Sequence, residues 1–250
     1  RKIFGEKGTS HVDPNSYLVA VRSKDGENWT REPELIYAHA FGGSQDPCLL
    51  QLRDGTILCA SYGWSFLRAG ARAAGNMKDY FHADQATFLG GYLVRSTDGG
   101  KTWEGPIYPP SIDKERNKSP FDTPLPAYNR GALYEGRDGT ILWSVAVSDQ
   151  KNDNGSYKTS NHLLVSKDKG TTWKQLGEVA TDDKASFNEA SVYETPKGDI
   201  VIFLRTANYE DQGCIARSSD GGQTFKWESM GFKGHPYQAM RLPDNRVLLV

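Results

Sequence analysis

The sequence predicts an all-β fold of repeated four-stranded blades, a β-propeller, and three observations carry that prediction. A short turn motif recurs along the chain. A second motif, of hairpin type, alternates with it. One copy of each fills about 50 to 70 residues, the size of a propeller blade.

The turn motif occurs as RSTDGGKTW from Arg95 to Trp103, VSKDKGTTW from Val165 to Trp173 and RSSDGGQTF from Arg217 to Phe225. RSKDGENW, from Arg22 to Trp29, is a degenerate copy with one residue fewer between its Asp and its Trp. The full copies share S-x-D-x-G-x-T followed by Trp or Phe. An apolar run enters each motif and an aromatic residue leaves it. Asp and Gly between such runs signal a hairpin turn. The Asp carboxylate accepts N–H bonds inside its own turn, and Gly supplies a positive φ. The aromatic residue buries a flat surface against the neighbouring unit. Asp25, Asp98, Asp168 and Asp220 therefore read as structural, not catalytic.

The second motif occurs as LLQLRDGTILCASYG (Leu49 to Gly63), ALYEGRDGTILWSVAV (Ala132 to Val147), SVYETPKGDIVIFLRT (Ser191 to Thr206) and AMRLPDNRVLLV (Ala239 to Val250). Each reads as strand, tight turn, strand. Residues 1–250 then form one domain, with outer strands at about 11–37, full blades at about 44–108, 127–180 and 186–230, and a further blade begun at about 235–250.

Composition narrows the function. Thirty Lys and Arg balance 31 Asp and Glu, for a formal net charge of -1, with no basic stripe. Nucleic acid is not the expected partner. No run of about 18 apolar residues exists to span a membrane. Of the three cysteines, Cys48, Cys59 and Cys214, the first two flank a predicted turn and read as two buried thiols in preference to a disulfide, and no Cys/His spacing suggests zinc. No cofactor or metal is expected. The first residue is Arg1, which reads as a processed or trimmed chain.

The turn motif resembles the Asp-box, or BNR repeat, of the sialidase (neuraminidase) superfamily. That resemblance implies a six-bladed propeller, of which about four and a half blades lie in this chain. A closed ring would need roughly 100 further residues at this blade size.

Strand alternation locates a candidate site. If the first strand of each blade is innermost, its start and the end of the second strand lie opposite the Asp-box turns. That opposite face holds the variable loops, and such loops carry function. The longest runs from about Trp64 to Leu89 and offers Asp79, Tyr80, His82 and Asp84. The inner strands open with Gln45 and Asp46, Asn129 and Arg130, Asn188 and Glu189, and His235 and Tyr237. The second strands end with Tyr62 and Trp64, Ser148 and Asp149, and Arg205. A glycosidase needs an acid for the leaving oxygen and a group to handle the nucleophile. Arg binds a substrate carboxylate in bidentate fashion, and Tyr and Trp offer flat faces to sugar rings.

The resemblance implies roles. In FNEASVYETPKGDIVIFLRT, Glu189 would be the base that assists a tyrosine nucleophile, and Arg205 a carboxylate-binding arginine. The acid would be an Asp of the long loop, Asp84 or Asp79, with Asp46 a further candidate. Arg130, Tyr62, Trp64, His82, His235 and Tyr237 would bind substrate. One departure stands out: Gln45-Asp46-Pro47 replaces the Arg-Ile-Pro that opens this blade in sialidases. An Asp there repels a carboxylate, while Arg130 on the next blade restores a positive charge. The family's nucleophile and last Arg would fall beyond Val250. The expected activity is release of a terminal sugar, sialic acid or another, from a glycan by a secreted, periplasmic or cell-surface protein. The alternatives are a non-catalytic carbohydrate-binding propeller and a protein-interaction platform.

Overall fold

The computed structural model describes residues 16–66, 86–119, 121–151, 157–234, 237–244 and 246–250. These residues form strands and turns, with no helix among them. Three four-stranded antiparallel sheets follow one another: β3–β6 (Gly43–Gln51, Ile57–Phe66, Ala86–Ser96, Glu104–Ile107), β7–β10 (Tyr128–Glu135, Ile141–Lys151, Tyr157–Ser166, Lys174–Ala180) and β11–β14 (Ser186–Glu194, Ile200–Ala207, Gln212–Ser218, Lys226–Lys233). A two-stranded sheet flanks them at each end: β1–β2 (Leu18–Ala20, Glu34–Tyr37) and β15–β16 (Ala239–Arg241, Val247–Leu249). Within each full sheet the strands pair in chain order. The first strands β3, β7, β11 and β15 also pack against one another in that order, so they line the axis and the sheets radiate as propeller blades.

The blades explain the apolar runs. The second strand of each blade is covered on both faces by its neighbours, so it reads as a continuous apolar stretch instead of alternating. In β8, residues Ile141 to Val147 are all buried. Leu58, Ala60, Trp143, Val145, Leu164 and Trp173 form the core between the first two full blades. Leu142, Leu163, Ile202, Leu204, Cys214 and Ala216 form the next. All three cysteines are free; Cys59 and Cys214 are buried, and burial pushes the Cys59 thiol up to about 12.

Each Asp-box closes on itself. Asp98 Oδ1 accepts from Ser96 Oγ (2.8 Å) and the Lys101 and Thr102 amides, while Oδ2 accepts from Thr102 Oγ1 (2.6 Å). Asp168 and Asp220 repeat the pattern with Thr172 and Thr224. In the shortened copy Asn28 takes the Thr place: its Nδ2 donates to Asp25 Oδ2 at 2.8 Å. These bonds hold all four carboxyls below their ordinary range, Asp168 at about 2. The structural reading of these aspartates rests on donors inside their own turns.

The same face joins the blades. The glycine two residues after the box Asp has positive φ and also meets the preceding blade: a Cβ on Gly170 would lie 3.0 Å from Leu58 Cδ2, and one on Gly222 2.9 Å from Leu163 Cδ2. Arg53, in the β3–β4 turn, donates to the Gly136 and Arg137 carbonyls and pairs with Glu135 at 3.2 Å. Arg137, one blade on, repeats this with the Thr195 and Pro196 carbonyls and Glu194. The repeat therefore encodes the blade-to-blade joint as well as the turn.

Candidate functional site

On the opposite face the regular ladders break. Pairing register shifts between Gln45 and Cys48 in β3, between Asn129 and Leu133 in β7, and between Phe187 and Ala190 in β11. Each bulge falls where the sequence places a candidate residue: Asp46, Arg130 or Glu189. Bulges re-aim side chains and are enriched beside functional sites. In β3 the cause is visible: Pro47 has no N–H for the ladder, and Asp46 holds φ +45, a left-handed value rare outside glycine.

Asp46 is fixed by Tyr62, whose hydroxyl donates to its Oδ2 at 2.6 Å. The Tyr62 ring is only 2% exposed and lies 5.4 Å from Tyr128 and 6.1 Å from Phe88. Tyr62 is thus a clamp on Asp46, and its ring offers no open face for a sugar, contrary to the expectation from sequence. Trp64, half-buried and 5.4 Å from Phe88, edges the same aromatic cluster.

Glu189 Oε2 accepts from Arg205 Nη1 at 2.9 Å; the side chains are 13% and 25% exposed. The pair joins the start of β11 to the end of β12. Two amides set the bulge beneath it. Glu189 N donates to Asn188 Oδ1 (2.7 Å), and Asn161 Nδ2 of the preceding blade donates to the Asn188 carbonyl (3.1 Å). Asn161 is fully buried and accepts from Ser144 Oγ at 2.6 Å. Sequence reasoning missed Asn161. Its signal was a polar run, Ser160-Asn161-His162, inside a strand that must be buried on both faces.

Glu115 was missed as well. It lies between β6 and β7, outside both repeats, and is 3% exposed. Its Oε1 accepts from Asn117 N (2.7 Å) and its Oε2 from Ser148 N (3.3 Å) at the end of β8. Burial pushes its carboxyl up to about 7 against these hydrogen bonds.

Tyr237 does not open onto a cleft. It is 9% exposed, belongs to the cluster of Tyr193, Val201 and Phe203, and packs so closely on Gly213 that a Cβ there would collide with its hydroxyl. That packing overturns its reading as a sugar-binding face. Asp79, His82, Asp84 and His235 lie outside the described residues, as does the side chain of Arg130. Among the described residues no group of His, Cys, Asp and Glu is arranged to hold a metal, and no helix is long and apolar enough to cross a membrane.

Radial four-stranded blades, Asp-box turns on one face and broken inner strands bearing carboxylates and an arginine on the other define a sialidase-like propeller. The chain belongs to the family of the BNR repeat-like domain, whose model matches residues 80–250. A solved structure from Dyadobacter fermentans, described as a protein of unknown function, is 64% identical over the whole of this chain, with a TM-score of 0.87. This chain spans 68% of that one. The NanB sialidase of Streptococcus pneumoniae matches 95% of the chain at 14% identity and a TM-score of 0.64, and 52% of its own length is covered. Trypanosoma rangeli sialidase matches 90% of the chain at 17% identity and a TM-score of 0.58, with 37% of its length covered. At such identities the sialidases speak for the fold alone. No curated protein matches the chain.

Proposed function

We propose that the chain is part of a glycoside hydrolase of the sialidase superfamily that releases a terminal sugar from a glycan outside the cytoplasm. The observation that carries this reading is the Glu189–Arg205 pair, 2.9 Å apart on an inner-strand bulge that faces the axis. Glu189 acts as the base or the base's partner, and Arg205 orients it and contacts substrate. The acid comes from Asp46 or from the 67–85 segment, which carries Asp79 and Asp84. A catalysed release needs both carboxyl functions. The test is a release assay with the full-length protein on a panel of terminal glycosides, beside Glu189→Gln. Turnover lost in the variant, with the fold retained, supports the reading; full turnover in the variant overturns the role of Glu189.

One observation favours the non-catalytic alternative. Asp46 and Glu189 are each already engaged, by Tyr62 and by Arg205. In a binding propeller these pairs would be fixed recognition groups. Glycan binding without turnover of any substrate would select that reading.

A further inference from the structure

Buried polar atoms without a hydrogen-bond partner are rare and costly in native folds. Four side-chain atoms among the described residues are of this kind: Asp149 Oδ1, Thr159 Oγ1, Arg205 Nε and Tyr237 Oη. None lies at an Asp-box turn. All four belong to strand ends on the opposite face: the end of β8, the start of β9, the end of β12 and the approach to β15. Tyr237 is enclosed by Gly213, Gly234 and its aromatic neighbours. Of the other three, Arg205 pairs with Glu189, and Thr159 stands opposite Ser148 beside Asp149. Thr159 N donates to Ser186 Oγ (3.4 Å) at the start of β11, which pairs with Ala207 at the end of β12.

Asp149 and Thr159 share one irregularity. Ser148 pairs with Thr159 and Gln150 with Lys158, so Asp149 is the extra residue of a bulge. Bulging turns its carboxyl out of the ladder and leaves Oδ1 buried with no donor. Arg205, on the neighbouring blade, spends Nη1 on Glu189 and keeps Nε as a buried donor without an acceptor. One blade thus leaves open a carboxylate acceptor and a hydroxyl that can donate or accept, and the next leaves open a donor. A sugar hydroxyl is both donor and acceptor and meets both needs. A carboxylate only accepts, and Asp46, Asp149 and Glu189 would all repel it.

Resting on the sugar-release reading above, we infer that Asp149 is a substrate-binding residue of this site. With Thr159 and the Arg205 Nε it takes the hydroxyls of an uncharged terminal sugar and disfavours an acidic one.

A structural Asp and a ligand-binding Asp differ in what their loss does to stability. Removing a carboxylate that holds the fold lowers the melting temperature. Removing one left unpaired for a ligand leaves it unchanged or raises it. The experiment measures the melting temperature of the full-length protein and of Asp149→Asn and Asp149→Ala. It also measures their binding of the methyl glycosides of galactose, fucose, glucuronic acid and N-acetylneuraminic acid. The expected result is a neutral glycoside bound at least about 10-fold tighter than either acidic one. Both variants should keep the melting temperature and weaken the neutral glycoside about 10-fold or more, since a hydrogen bond to a charged group is lost. Three results overturn the inference: tighter binding of an acidic glycoside by the unaltered protein, neutral affinity unchanged in both variants, or no binding of any glycoside. Release of an acidic sugar would leave the sugar-release reading standing while this inference falls. A neutral sugar bound and never released would do the reverse.

Discussion

The two faces of the propeller handle carboxylates in opposite ways. On the Asp-box face, Asp98, Asp168 and Asp220 each accept from the hydroxyls and amides of their own turn. Arg53 and Arg137 tie each inner turn to the next blade. On the other face Asp46 is strained, Glu189 leans on an arginine from another strand, and Asp149 keeps a buried oxygen without a donor. The teaching is that acidic residues alone say little. What separates scaffold from site is whether the donors are local and complete.

The largest effect expected on this contrast is at Glu189. Glu189→Gln should lower sugar release by about 10²–10⁴-fold, the usual worth of a general acid or base, while Asp98→Asn should leave kcat intact and lower only the melting temperature. A substantial loss of kcat in Asp98→Asn would break the division between the faces.

Next comes Asn161→Ala. It frees the Asn188 carbonyl and the Ser144 hydroxyl inside the protein, at a cost of about 1–3 kcal/mol in denaturant unfolding. It should also lower kcat more than it raises KM, because the bulge that aims Glu189 loosens. An unchanged kcat at reduced stability would make Asn161 a packing residue only.

Gly222→Ala should cost about 1–2 kcal/mol from its left-handed backbone alone, with more from the close approach to Leu163. Gly221→Ala shares the positive φ but has open space. The difference between the two in chemical denaturation isolates the blade contact, and equal losses would remove it.

The smallest effects are in pH. Burial raises the folded-state pKa of Glu115 from 4.5 to about 7. Its contribution to stability is therefore present below pH 4.5 and lost as pH rises towards 7. Glu115→Gln should flatten the melting-temperature profile across that window, and an unchanged slope would sink the assignment. The box aspartates act with the opposite sign. Asp168 falls from 3.8 to about 2 on folding, so its contribution is present above pH 3.8 and lost as pH drops towards 2.

Much of this was legible in the sequence, and the reason is local. The all-β propeller class and the structural role of the box aspartates follow from turn chemistry contained within nine residues. The site was legible only as positions. Glu189 and Arg205 stood at the right strand ends, and the structure joins them at 2.9 Å. The roles of Tyr62 and Tyr237 were misread, because an aromatic residue at a strand end is as apt to pack as to line a cleft. Glu115 carried no signal, since the segment between β6 and β7 follows neither repeat.

By itself the sequence determined the blade, its turns and the face on which variable residues collect, because these depend on contacts between near neighbours in the chain. Only the tertiary structure decided which polar groups share a site and which are left with open hydrogen bonds. Asn161 reaches Asn188 across a blade boundary, and the Arg205 Nε goes unpaired beside Glu189. Those outcomes depend on how the inner strands bulge and how one blade packs on the next, and no local pattern of residue types records that geometry.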